Sequence, residues 1–274
     1  MGVVIILILV SLLIYVTLSD DKKSPYRNYD DISKVERDDY FRKTTLRIRI
    51  KKNLSVYFKA NFLNMITNMI IERHTEPWRA YHTMKHINSI LDMLEDNAVV
   101  FSNRDVYGQL FLVAVYHDIV YKPWRKDNEK MSAELFKKHW TKYAKKSPNK
   151  NIIENFVYNC ITQTKNHDGE KHLEHVFNSL DMSIISGTKE EVMLWEKEIA
   201  KEYSFIPYKI YKKHRLEFLE KFSQYGNIIK VIEYVKNTKS TNNPLLYFLN
   251  SYFKLYSHKI SKFFTIDMDF DIDI

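Results

Sequence analysis

Three short stretches, far apart in the chain, hold the residue types that bind a divalent cation. The first is YHTMKHI, in which His82 and His86 stand four positions apart; on a helix that spacing sends both imidazoles off the same face. The second is the pair His117-Asp118, which closes a run that is apolar from Leu110 to Val115. A carboxylate beside such a run carries a desolvation cost unless it is paired or binds a cation. The third is Asp181 in NSLDMSI, again an acid among apolar neighbours at an expected helix end. Imidazole and carboxylate together suit Mn²⁺, Fe²⁺, Co²⁺ or Zn²⁺, whereas an all-oxygen set would favour Mg²⁺ or Ca²⁺. A His pair or a His-Asp dipeptide alone is commonplace in structural roles. The weight lies in the three together, each following a hydrophobic helix.

Helices must do the positioning. Leu54, Phe58, Phe62, Met65 and Met69 recur at three- and four-residue steps and predict a helix from Leu54 onward. Thr75-Glu76-Pro77 breaks the pattern, and a helix is expected over 83–94. Asn103 or Asp105 is placed to cap the next one, whose apolar middle predicts burial on most sides at the domain centre. Further helices are predicted at 128–145, 150–164, 170–180, 189–204, 207–222 and 244–263, with Pro148 and Pro207 in first turns, where a missing N–H does no harm. No alternating run is strong enough for a strand. The fold class read from the sequence is all-α.

Composition agrees and removes several function classes. The 274 residues are 45% hydrophobic, enough for a real core. Five Gly and six Pro are too few for a turn-rich β architecture. Cys160 is the only cysteine, so neither an intramolecular disulfide nor a Cys-based zinc site can form. The net charge of +8 is spread along the chain with no aromatic-basic recognition motif, which argues against nucleic acid as a partner.

The layout expected is an anchor over 1–19, a polar linker over 20–50, a domain over 51–235, and a C-terminal helix with an acidic tail over 236–274. Val3 to Leu18 carries no charge and lies at the short end of membrane-spanning length, and no basic residue precedes it. It reads as a single-pass transmembrane helix, the alternative being a cleaved signal peptide followed by secretion. Lys22, Lys23 and Arg27 follow the run, so the positive-inside bias puts the domain in the cytosol. Against this, Asn53-Leu54-Ser55 is a sequon that a lumenal domain would have glycosylated.

His86, then His117-Asp118, then Asp181 resemble the H…HD…D ligand set of the HD superfamily of metal-dependent phosphohydrolases. From Glu76 to Phe222 the chain is similar to a bacterial-type subfamily of predicted HD phosphohydrolases, through EPWRAYHTMKHI, VAVYHDIVY, DNEKMSAELF, ITQTKNH, SLDMSIISG, EIAKEY and YKKHRLEFL. The resemblance implies an HD-domain helical bundle with a divalent metal site (Mn, Fe, Co, Zn or Mg; one or two ions) on His86, His117, Asp118 and Asp181. Ser179 departs from the subfamily, which usually has a further Asp there. The cyclic-nucleotide phosphodiesterases are similar at two points: a His one turn before the first ligand, and DMS at the last one. On that likeness His82 is the general acid. The chain is much shorter than those enzymes and lacks their second-metal histidines.

The resemblance implies hydrolysis of a phosphate ester or anhydride, with a small, nucleotide-like phosphorylated substrate. Arg79, Lys165 and Arg215 are candidates to neutralise phosphate oxygens, against surface or salt-bridge roles. Glu129 is a candidate to position or deprotonate the water, its rival role being a helix N-terminal acid on the dipole. His167 is a candidate to touch substrate or assist a second metal. The competing function is a non-catalytic, membrane-tethered HD-fold scaffold or ligand-binding protein, and oligomeric state is left open.

Overall fold

The computed structural model describes residues 34–97, 104–167 and 171–238. Among them are ten α-helices and no strand: α1 Lys34–Tyr57, α2 Leu63–Arg73, α3 Met84–Asp96, α4 Arg104–Tyr116, α5 Asn128–Tyr143, α6 Lys150–Gln163, α7 His172–Asp181, α8 Lys189–Glu202, α9 Tyr208–Glu220 and α10 Gly226–Asn237. Short 3-10 turns, Ala60–Phe62 and Met182–Ser186, precede α2 and follow α7. The all-α reading therefore holds. The expected anchor over 3–18, the start of the linker, the helix over 244–263 and the acidic tail lie outside the described residues. Among the described residues no helix is long and apolar enough to cross a membrane.

Contacts group the described residues from Arg47 onward into one compact unit, which holds every element of the site. Its first layer is built around α4, where Leu110 to Tyr116 are all fully buried, as the unbroken apolar run requires. The helix packs against α3, α5 and α6. α3 is amphipathic: Met84, His86, Ile87, Ile90, Leu91 and Leu94 are buried, so the apolar face that seats the helix also carries His86 inward. Each such aliphatic side chain contributes about 1.5–3 kcal/mol on burial. Gly108 permits a close approach to α1, since a Cβ there would collide with the Tyr57 hydroxyl.

A second layer, α8 to α10, has its own core of Ile185, Val192, Trp195, Ile199, Leu219, Ile228, Val231 and Val235. The start of α8 is fixed by a capping box in which Thr188 Oγ1 accepts the Glu191 amide and Glu191 Oε2 accepts the Thr188 amide at 2.8 Å.

Three local expectations change. The helix predicted from Leu54 through Met69 is broken after Tyr57, because Lys59 N–H donates to Tyr143 O at 3.1 Å and Lys145 N–H to Tyr57 O at 2.8 Å. Apolar spacing runs through such a break without registering it. Helix α10 falls between the predicted 207–222 and 244–263 and has no counterpart in the sequence reading. Its Ile228, Val231, Ile232 and Val235 are β-branched and weak helix formers, and burial against α8 and α9 outweighs propensity. Pro207 sits at the N-cap of α9, one residue before its first turn.

Candidate metal centre

Four side chains from three helix ends meet at one point. His86 comes from the first turn of α3, His117 and Asp118 from the turn after α4, and Asp181 is the last residue of α7. His86 Nε2 is 2.9 Å from Asp181 Oδ1 and 3.3 Å from His117 Nε2. His117 Nε2 is 3.1 Å from Asp118 Oδ2 and 3.4 Å from Asp181 Oδ1, and His86 Nε2 is 4.0 Å from Asp118 Oδ2. Atoms bound to one ion at about 2.0–2.3 Å stand roughly 2.9–4.6 Å from each other, and the spacings among His86, His117 and Asp118 fall in that range. His86, His117 and Asp118 alone form a group with ligand atoms mutually within 4.8 Å that can hold a metal ion. Asp181 touches both histidines of that group.

The donor chemistry tests the fit. His117 Nδ1 lies 2.9 Å from Ala114 O and donates its proton there. In the neutral tautomer Nε2 then presents a lone pair to a second imidazole nitrogen and two carboxylates. A proton can satisfy one of those contacts; a cation satisfies all of them. Burial disfavours a charged His117, but Asp118 and Asp181 outweigh it and hold its pKa well above the usual histidine value. Burial likewise acts to raise both carboxyls. His117 and His82 overcome it at Asp118, and His117, His167 and His86 at Asp181, holding both below the ordinary range.

His82 is not on the helix that carries His86, contrary to the one-face expectation. It precedes the N-cap Thr83, in the turn before α3, and reaches the site because Glu202 holds it. His82 Nδ1 donates to Glu202 Oε2 at 2.7 Å, leaving Nε2 on the side of Asp118, 3.9 Å from Oδ2. Glu202 is 1% exposed. Its Oε1 accepts the amides of Ala80, Tyr81 and His82 at 2.7, 2.9 and 3.0 Å, and Oε2 also accepts the Tyr121 hydroxyl at 2.6 Å. The Tyr121 ring stacks on His82 with centroids 4.1 Å apart. Burial tends to raise Glu202, yet His82, Tyr121 and the amides bring its pKa down to about 2. Burial also works against a charged His82, but Glu202 and then Asp118 raise its pKa. Sequence reading missed Glu202. The signal present was EIAKEY, an acid one turn after Ile199 at the end of an amphipathic helix.

The remaining candidates divide. Arg79 is not free for phosphate: its terminal nitrogens donate to His82 O at 2.9 Å and Asp118 O at 2.8 Å, and Nε to Glu76 at 3.2 Å. It ties the turn bearing His82 to the turn bearing Asp118. His167 is the one non-glycine residue with positive φ among the described residues, at 56°. Such a conformation costs about 1–2 kcal/mol, and it aims Nε2 at Asp181 Oδ2, 3.2 Å away. The imidazole therefore steadies the oxygen that faces away from His86 and His117. Glu129, in the first turn of α5, lines a cavity of about 480 Å³ with His82, Asp118, Lys165, His167, Asp181 and Arg215. Burial, reinforced by Asp118, raises the Glu129 pKa. Trp78 and Trp124 do not line that cavity; they pack edge to face, with Trp78 Nε1 donating to Tyr121 O at 2.7 Å. Cys160 is buried, its thiol pushed up to about 12 by burial, and takes no part.

No family model matches the chain, and no curated protein and no solved structure matches it.

Proposed function

We propose that this protein is a metal-dependent phosphohydrolase acting on a small, nucleotide-like phosphorylated molecule. The observation that carries the reading is the convergence of His86, His117, Asp118 and Asp181 beside a buried Glu202–His82 pair, with His82, Asp118 and Asp181 lining a cavity of about 480 Å³. A cavity of that size suits a small ligand. When bound to the four ligands, a divalent cation polarises a phosphoryl oxygen and lowers the pKa of a water. The chain supplies the rest. Arg79 and His167 fix the ligand turns. Glu202 holds His82 with its Nδ1–H engaged, so that a proton on Nε2 is available to the departing oxygen. Glu129, with its raised pKa, is placed to orient a water beside Asp118, and Lys165 brings a point charge for phosphate oxygens.

The test is a phosphatase and phosphodiesterase screen on the full chain in detergent. Mn²⁺, Co²⁺, Ni²⁺ and Mg²⁺ are compared on aryl phosphates, nucleoside mono- and diphosphates and cyclic nucleotides. Metal-dependent turnover that disappears in Asp118→Ala supports the reading. A protein that neither retains nor takes up metal sinks it, and one that binds metal without turnover on any substrate points to the scaffold or ligand-binding alternative.

A further inference from the structure

The same cavity has a second polar feature that phosphate hydrolysis at the metal does not use. Trp195 and Arg215, from α8 and α9, line it together with Tyr211. Arg215 is only 9% exposed, and its guanidinium lies 4.1 Å from the Trp195 ring centroid and 5.0 Å from that of Phe218. Its Nε donates to Glu196 Oε2 at 2.7 Å, while the Tyr211 hydroxyl occupies Glu196 Oε1 at 2.7 Å. The Nε bond is the guanidinium's one hydrogen bond among the described residues, and Nη2 is buried with no partner among them.

This is a costly arrangement for a purely structural arginine. Buried N–H groups are nearly always paired, and a guanidinium presents its donors as a fixed planar fork. Here the Nε side is braced by Glu196 and the aromatic rings lie against the group, so the unused chemistry is at the edge formed by the terminal nitrogens. An edge of N–H donors matches two oxygens of a phosphate or carboxylate. Lys165 lines the same cavity, as do the carboxylates Asp118, Glu129 and Asp181 on the metal-ligand side. Arg215 touches none of the four metal ligands; its contacts are with Glu196, Trp195 and Phe218.

We infer that Arg215 binds a second oxyanion on the organic part of the substrate, which is thus a phosphate ester carrying a further phosphate or carboxylate group. The inference rests on the phosphohydrolase reading and narrows its substrate class. The test measures binding without turnover, by calorimetry on the full chain loaded with Mn²⁺. The probes are butylphosphonate, tetramethylene bisphosphonate, phosphonopentanoate on the same four-carbon spacer, and phenylbutylphosphonate. The doubly acidic probes should bind roughly 10- to 100-fold tighter than butylphosphonate, as a charge-assisted fork provides, and their order separates phosphate from carboxylate. In Arg215→Lys, which keeps a cation beside Glu196 but loses the fork, the advantage should fall to near unity. Should that variant lose its circular-dichroism signature, Arg215→Met with Glu196→Gln removes both charges together and is expected to give the same collapse. An advantage that survives in the folded variant overturns the inference, as does tighter binding of the phenyl probe than of both diacids. Butylphosphonate binding with no gain from a second acid overturns this inference alone, and no binding of any probe overturns the phosphohydrolase reading with it.

Discussion

Glu202→Gln isolates the part of the site that supplies a proton. Glutamine has the same size, and its remaining carbonyl oxygen can still accept the three amides of Ala80, Tyr81 and His82. Its NH₂ replaces the oxygen that faces His82 Nδ1 and the Tyr121 hydroxyl. Tyr121 can rotate its O–H and accept instead. His82 cannot keep a proton on Nδ1 against an N–H donor, so its charged form loses a buried, charge-assisted bond. Such a bond contributes about 1.5–3 kcal/mol, which corresponds to roughly 10- to 150-fold in the fraction of His82 ready to act as an acid. The expected loss of kcat is therefore of that size and smaller than for His82→Ala, where the whole general-acid contribution of about 10²–10⁴ is removed. The assay compares an alkyl phosphate, whose alkoxide cannot leave unprotonated, with p-nitrophenyl phosphate, whose phenolate can. Only the alkyl ester should slow, with metal content unchanged. Equal losses on both esters would assign Glu202 a purely structural role, and undiminished alkyl turnover would remove His82 from the chemistry.

Three further outcomes are expected. Asp118→Ala and His86→Ala should lose bound metal with helical content retained, whereas His82→Ala should keep the metal; elemental analysis of the purified variants decides. Glu202, with a folded-state pKa of about 2 against an ordinary 4.5, contributes stability above the higher value and loses it as pH falls through the lower. That amounts to about 3 kcal/mol at neutral pH, so urea unfolding in chelator should show an acid-side slope that Glu202→Gln flattens, and an unchanged slope would refute it. Deleting residues 1–19 should move the protein from the membrane pellet to the supernatant, and in a eukaryotic cell the full chain should show no endoglycosidase shift; a shift abolished by Asn53→Gln would reverse the orientation.

The sequence was informative wherever one residue type does one job in any context. The apolar run ending at His117-Asp118 had to be a buried helix, and an acid at its end had to have a partner. What the sequence could not carry were the long-range pairings. For Arg79 the sequence leaves phosphate contact and a salt bridge equally open, and only the fold reveals that Glu76 and the carbonyls of His82 and Asp118 occupy its donors. Glu202 is far from His82 in sequence, and its role depends on how α8 docks. His167 gave no hint of its left-handed backbone. Helix α10 was hidden because its β-branched residues speak against a helix until something covers them.

The two halves of the chemistry appear in the chain in a fixed order. His86, His117, Asp118 and Asp181 are all synthesised before Glu202, and at roughly 5–20 residues per second the gap between Asp181 and Glu202 lasts a second or more. A growing chain thus carries its whole ligand set while His82 still lacks the carboxylate that orients it. On the proposed chemistry, a nascent protein that captures an ion early has no armed proton donor until α8 is complete. Truncations ending before Glu202 keep all four proposed ligands and lack the carboxylate that holds His82.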